Sequence, residues 1–193
     1  MKLLLPGFLG PPENLPSRLS DLCTYGKNLT LIGYSMGGRI ALQFAHKYPE
    51  YVKEAIAISA NPGIPEKEIP ARILWENKWL KAIEEPNFLE KWYAQPLFDS
   101  LRESENYPAM LEERKKVDLK KASKLFDHYR LSKQPNLWKE LPNMPVRFLF
   151  GTLDTKYLTF HNRLLAMGIT SELIPDCGHA IPTEAPHIVA SMR

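Results

Sequence analysis

The sequence has little cysteine: two residues in 193, Cys23 and Cys177, far apart and in no metal-ligand spacing. That excludes a disulfide scaffold and a cysteine-based metal centre, and it matches a reducing compartment. It has little charge imbalance, since 25 Lys and Arg against 22 Asp and Glu leave a net +3. So small an excess argues against nucleic acid as a partner, and the densest basic stretch, Arg114–Lys121, is interrupted by Asp118 and reads as a solvated helix face. Long apolar runs are also missing. "LLL" at residues 3–5 ends at Pro6, too short for a signal-peptide core and far from the ~20 residues of a membrane span. No membrane partner is expected, and the expected location is cytoplasmic. There is no internal repeat and no low-complexity tract, and the length suits one domain with a real core.

What the chain does contain is an alternation of buried strands and helices. Short apolar runs at 2–5, 29–33, 54–60, 146–151 and 171–175 predict five strands. Helical patterns fall at 15–25, 36–48, 157–167 and from about Thr183 onward. Continuous apolar strands separated by helices imply an α/β fold with a mostly parallel sheet covered on both faces. From Pro62 to about Pro142 no strand is evident. That stretch of roughly eighty residues holds all four tryptophans and helical patterns at 76–85, 87–93, 105–116 and 118–131. The expected organisation is a core from 1–61 and 143–193, with a helical lid at 62–142 over the carboxyl edge of the sheet, where ligands bind in such folds.

Gly33-Tyr34-Ser35-Met36-Gly37 fits G-x-S-x-G between a predicted strand and a predicted helix. The turn is tight, so the positions two before and two after the serine have no room for side chains, and the serine hydroxyl projects above the sheet edge. A serine needs a base, and the base an orienting acid, in the chain order Ser, Asp or Glu, His. Asp154 follows the fourth strand and His179 the fifth. His46, His128, His161 and His187 all fall within helical runs, as surface or packing residues. Asp176 stands as the alternative acid, nearer in sequence but on the histidine's own loop. An oxyanion hole calls for the backbone N–H of Met36 and one from the loop "PGFLG", with Phe8 the candidate. Cys177, two residues before the histidine, reads as a small buried filler.

The pieces "GFLG", "LIGYSMGGRIALQFA", "SANPGI", "FLEKWYAQPLFDSL", "GTLDTKY" and "CGHAIPTEAP" resemble the α/β-hydrolase family. Within it they are similar to the 2-succinyl-6-hydroxy-2,4-cyclohexadiene-1-carboxylate synthases of menaquinone biosynthesis; "KWYAQPLFDSL" carries the subgroup signal. The resemblance implies a lyase rather than a hydrolase. The serine–histidine pair takes a ring proton, and an enolpyruvyl group leaves as pyruvate, with no cofactor and no metal. Ser35, His179 and Asp154 match the catalytic positions. A small polycarboxylate substrate calls for cations, for which arginine's planar fork is suited. The resemblance supplies Arg39, Arg114 and, more loosely, Arg72, with Tyr34, Trp92 and Tyr93 as substrate-facing aromatics.

The chain departs from the family pattern in two places. The first strand ends in Pro6-Gly7 rather than His-Gly, and only about twenty residues separate Gly10 from Gly33. A strand and a helix are missing there, which predicts a trimmed sheet of about five strands with an apolar edge that stays open in a monomer or pairs in a homodimer. Three functional readings follow: the lyase, a carboxylesterase or thioesterase with the same triad, and a non-catalytic remnant of the fold.

Overall fold

The computed structural model describes residues 1–192; Arg193, the last residue of the second core segment, lies outside the described residues. In chain order the elements are β1 (Lys2–Leu5), β2 (Leu29–Tyr34), α1 (Met36–Lys47), β3 (Val52–Ile58), α2 (Ile69–Ala82), α3 (Phe88–Tyr93), α4 (Asp99–Glu103), α5 (Tyr107–Lys115) and α6 (Leu119–His128). There follow β4 (Val146–Gly151), α7 (Thr155–Ala166), β5 (Ser171–Ile174), α8 (Ile181–Glu184) and α9 (Pro186–Ala190). The five strands form one sheet in sequential order, and all four pairings are parallel.

Both faces of the sheet are covered, which is why its central strands are largely apolar rather than alternating. Leu31 and Ala55 face one side and pack with Ile40 and Phe44 of α1. Ile32, Ile56 and Leu149 face the other and pack with Ile181 and Ala185 at the C-terminal helices. Leu29, Leu31 and Ile32 are within 2% of full burial, and each stabilises the fold by roughly 1.5–3 kcal/mol relative to exposure. The helices between β3 and β4 have their own aromatic core, built on Trp79, Phe88, Trp92, Phe98 and Phe126, into which Leu9 and Ala180 also pack. The helical segment is thereby seated on two loops at the carboxyl edge of the sheet.

The short gap before β2 has the expected consequence. Among the described residues no strand lies between β1 and β2 to pair outside β1, which is an edge strand; the helix expected at 15–25 is not α-helical either, the chain making only 3₁₀ turns there, Pro12–Asn14 and Leu19–Tyr25. Four residues with a lysine at one end make a blunt edge.

Several element limits differ from the sequence reading. The helix expected at 76–85 starts at Ile69, because Pro70 sits in its first turn, where no donor is missed. The third strand runs from Val52 to Ile58 and stops where Ser59 takes φ 48°. The terminal helix is two short ones, since Pro186 lacks the N–H needed to continue α8. The helix at 99–103 had no separate sequence signal.

Candidate functional site

Ser35 is held in a strained turn. It joins β2 to α1 with φ 49° and ψ −108°, a conformation that an L side chain rarely adopts. Its N–H donates to the Ile58 carbonyl at 2.8 Å and its carbonyl accepts from Arg39 N–H at 3.0 Å, tying the turn to β3 and to the first turn of α1. The flanking glycines have a steric reason. A Cβ on Gly37 would lie 2.1 Å from the Leu5 carbonyl oxygen, and one on Gly33 2.4 Å from that of Gly37. Both obstacles are backbone, so neither can yield cheaply.

His179, on the loop after β5, lies with Nε2 3.2 Å from Ser35 Oγ and Nδ1 2.8 Å from Asp154 Oδ2. A carboxylate only accepts, so Nδ1 carries the ring proton, and Nε2 is left to accept from the serine hydroxyl. Asp154 precedes α7 at the position of a capping residue, yet its side chain makes no cap bond; the carboxylate is spent on His179. Asp154 and His179 are both buried. Asp176 is exposed and engages Thr152 Oγ1 through its own backbone N–H at 3.0 Å. The rings of Tyr157, Tyr34 and Phe98 stand 5.2, 5.7 and 6.1 Å from the imidazole and wall it from solvent.

This serine, histidine and aspartate open onto a cavity of about 630 Å³ whose lining also includes Phe8, Met36, Arg39, Arg72, Trp92 and Lys156. Met36 is the first residue of α1, where helical N–H groups lack an intrahelical partner. Phe8 is fixed by its ring, 4.8 Å from Trp92 and 4.7 Å from Phe126. The lining combines aromatic and cationic side chains. Arg39 is buried, with Nη1 donating to the Tyr129 carbonyl at 2.7 Å and to Gln134 Oε1 at 3.3 Å. Burial, and then the charge of Arg72, lower its pKa to about 10, so it stays protonated at neutral pH. Arg72 Nε donates to the buried Glu76 at 2.8 Å while the guanidinium lies 4.1 Å over the Trp75 ring. It is therefore both a salt-bridge partner and a cavity residue.

Arg39 and Arg114, both expected to bind the substrate, line different but adjoining cavities. Arg114, Tyr34 and Tyr93 line a second, small cavity of about 40 Å³ that shares Phe8, Ser35, Trp92 and Phe98 with the first. The separation arises because Arg39 lies one turn along α1, behind Ser35, whereas Arg114 descends from α5 on the side of Tyr34. The charge of Arg114 acts on Tyr93 to oppose the rise from burial, and the arginine's buried Nε has no partner among the described residues. Burial raises the pKa of both tyrosines, with a further rise for Tyr34 from Tyr93.

Lys156 was not anticipated. It sits in the first turn of α7, at the cavity rim, and loss of solvent followed by Arg72's charge lowers its pKa. Its only sequence signal is a lysine two positions past the candidate acid at a sheet edge. Among the described residues no group of His, Cys, Asp and Glu has the arrangement to hold a metal ion, and no helix is long and apolar enough to cross a membrane.

Comparison with known proteins places this architecture. The model of the alpha/beta hydrolase family matches residues 3–192. The 2-succinyl-6-hydroxy-2,4-cyclohexadiene-1-carboxylate synthase of Enterobacter sp. (strain 638) is 29% identical over 167 residues, covering 83% of this chain and 63% of that protein. The putative synthase of the same name from Bacillus subtilis (strain 168) is 31% identical over 169 residues, covering 82% and 61%. The chain thus spans about six tenths of the length of these curated relatives. The structure of MenH from S. aureus superposes with a TM-score of 0.87 at 24% identity, over 99% of this chain and 90% of that one, a likeness of fold.

Proposed function

This chain belongs to the α/β-hydrolase family, and from that premise we propose that it is a carbon–oxygen lyase of menaquinone biosynthesis. Its substrate is 2-succinyl-5-enolpyruvyl-6-hydroxy-3-cyclohexene-1-carboxylate, and its products are 2-succinyl-6-hydroxy-2,4-cyclohexadiene-1-carboxylate and pyruvate. The observation that carries the reading is the hydrogen-bonded series Ser35, His179, Asp154 opening onto a cavity lined by cationic and aromatic side chains. Similarity to proteins named as that synthase supports it.

The most acidic ring proton of this substrate is the one on the carbon bearing the succinyl ketone. Ser35, deprotonated toward His179, takes that proton as a general base, and Asp154 holds the imidazole in the tautomer required and stabilises it when charged. Negative charge then develops on the ketone oxygen, where the N–H groups of Met36 and Phe8 receive it. The electrons return through the ring double bond to expel the enolpyruvyl oxygen as an enolate, and protonation of that enolate's methylene carbon gives pyruvate. Arg39, Arg72 and Lys156 bind carboxylates in the larger cavity. Arg114, whose Nε lacks a partner, receives one in the smaller, beside Tyr34 and Tyr93, and Trp92 packs against the ring. The helices of 62–142 act as the lid. The chemistry requires neither metal nor cofactor. Two free cysteines, one of them buried, fit a cytoplasmic setting.

A second reading, a carboxylesterase or thioesterase acting through an acyl-serine, is favoured by the same serine–histidine distance of 3.2 Å, which suits nucleophilic attack equally. Incubation with the enolpyruvyl substrate separates the two. Pyruvate release that Ser35→Ala abolishes supports the lyase; hydrolysis of an activated ester without pyruvate release favours the hydrolase.

A further inference from the structure

Glu184 lines neither cavity, and although it lies within "CGHAIPTEAP" the sequence gives it no role. Its two carboxylate oxygens accept from two different peptide N–H groups: Oε2 from Gly178 at 2.8 Å and Oε1 from Ala180 at 2.9 Å. Those two peptides flank His179. One carboxylate, carried at the end of α8, therefore grips the histidine's backbone on both sides.

The surrounding contacts make the grip stiff. The Leu153 N–H donates to the Cys177 carbonyl at 2.9 Å, which ties the loop to the one that carries Asp154. Asn106, before α5, donates from Nδ2 to the Thr183 carbonyl at 3.0 Å, which anchors α8 to the helical segment above. A Cβ on Gly178 would lie 1.8 Å from Ser100 Oγ, so the loop is also wedged under α4. The carboxylate's charge is felt locally: the Cys177 thiol is pushed up to about 12 by burial and then by Glu184.

We propose that Glu184 is a positioning residue. By holding the N–H groups on either side of His179 it sets the ring so that Nε2 meets Ser35 Oγ while Nδ1 stays on Asp154. Both contacts must hold at once, and an ångström of drift costs on the order of a hundredfold in rate. A carboxylate suits this task because it offers two acceptors and no donor. Glutamine of the same size keeps one acceptor and presents an NH₂ to the other N–H.

The inference rests on the Ser35–His179 reading, and the experiment separates the two. The full chain, Ser35→Ala, Glu184→Gln and Glu184→Ala are compared for the rate of Ser35 labelling by a fluorophosphonate across pH, for kcat and KM of pyruvate release, and for the low-field proton resonance of His179 Nδ1–H. The expected result is labelling slowed about tenfold in Glu184→Gln and about a hundredfold in Glu184→Ala. It includes a fall in kcat at unchanged KM and a broadened or shifted Nδ1 proton. Folding is checked by circular dichroism, and Glu184→Gln, nearly isosteric, serves if the alanine variant does not fold. Equal labelling and an unmoved Nδ1 proton in a folded Glu184→Gln overturn the positioning role. A wild-type chain that is not labelled, or label that persists in Ser35→Ala, overturns the Ser35–His179 reading beneath it.

Discussion

Asp154→Asn is the substitution with the largest consequence for its size. The two side chains concerned are each 2% exposed, and Nδ1 stands 2.8 Å from Oδ2. Asparagine fills the same space, so packing around the imidazole is unchanged. Its amide, however, can turn its NH₂ toward Nδ1, which makes Nδ1 an acceptor and moves the ring proton to Nε2, facing Ser35. The base is then blocked. When the imidazole becomes charged during proton transfer, its buried negative partner is also gone. Breaking a buried pair by removing one member costs about 3–5 kcal/mol. At 1.36 kcal/mol per decade of rate that is about 10²- to 10⁴-fold. The assay is fluorophosphonate labelling of Ser35 together with steady-state pyruvate release, with thermal melting as the control for fold. A loss of less than about tenfold in a folded variant would refute the assignment of Asp154 as the orienting acid. A larger loss in Asp176→Asn than in Asp154→Asn would transfer that role to the exposed aspartate.

Other outcomes follow from the same geometry. Ser35→Gly should abolish activity yet raise stability, because the strain of about 1–3 kcal/mol at an L residue with this turn conformation exceeds the glycine penalty of about 0.5–1 kcal/mol; a fall in melting temperature of several degrees would contradict it. Lys156→Ala, at the cavity rim, should raise KM for the polycarboxylate about two- to fivefold with little change in kcat and leave hydrolysis of a neutral ester untouched, as steady-state kinetics on both substrates will tell. Cys177, with its thiol pushed up to about 12, should be about 10⁻⁴ thiolate at pH 8, with its share rising tenfold per pH unit toward that value. Peptide mass mapping after iodoacetamide at pH 8 should therefore find Cys23 modified well ahead of Cys177, and equal modification would show that the Cys177 loop opens.

The parts of the fold that were legible in the sequence share a cause. Strands such as 29–34 and 146–151 are mostly buried on both faces, and a largely apolar run, polar only near its start at Thr30 and Arg147, is what that environment selects. The turn at Ser35 was legible because two backbone approaches of under 2.5 Å at Gly33 and Gly37 admit only glycine. Element ends were less legible. Whether Pro70 starts a helix or breaks one depends on which N–H groups are already unpartnered, and that is settled by what the helix packs against.

By itself the sequence determined the succession of strands, the parallel sheet, and the spots at which a serine, an aspartate and a histidine emerge from three strand ends. Those features follow from local periodicity and from steric exclusion at a few glycines, which operate between near neighbours in the chain. Only the tertiary structure decided that Asp154 rather than Asp176 reaches His179, that Arg39 and Arg114 face separate cavities, and that Lys156 and Glu184 stand beside the site. The Asp154–His179 pair joins segments 25 residues apart, the two arginines are set by how the helical segment seats on the sheet edge, and even for Glu184, a few residues from His179, no pattern along the chain encodes which way a side chain turns.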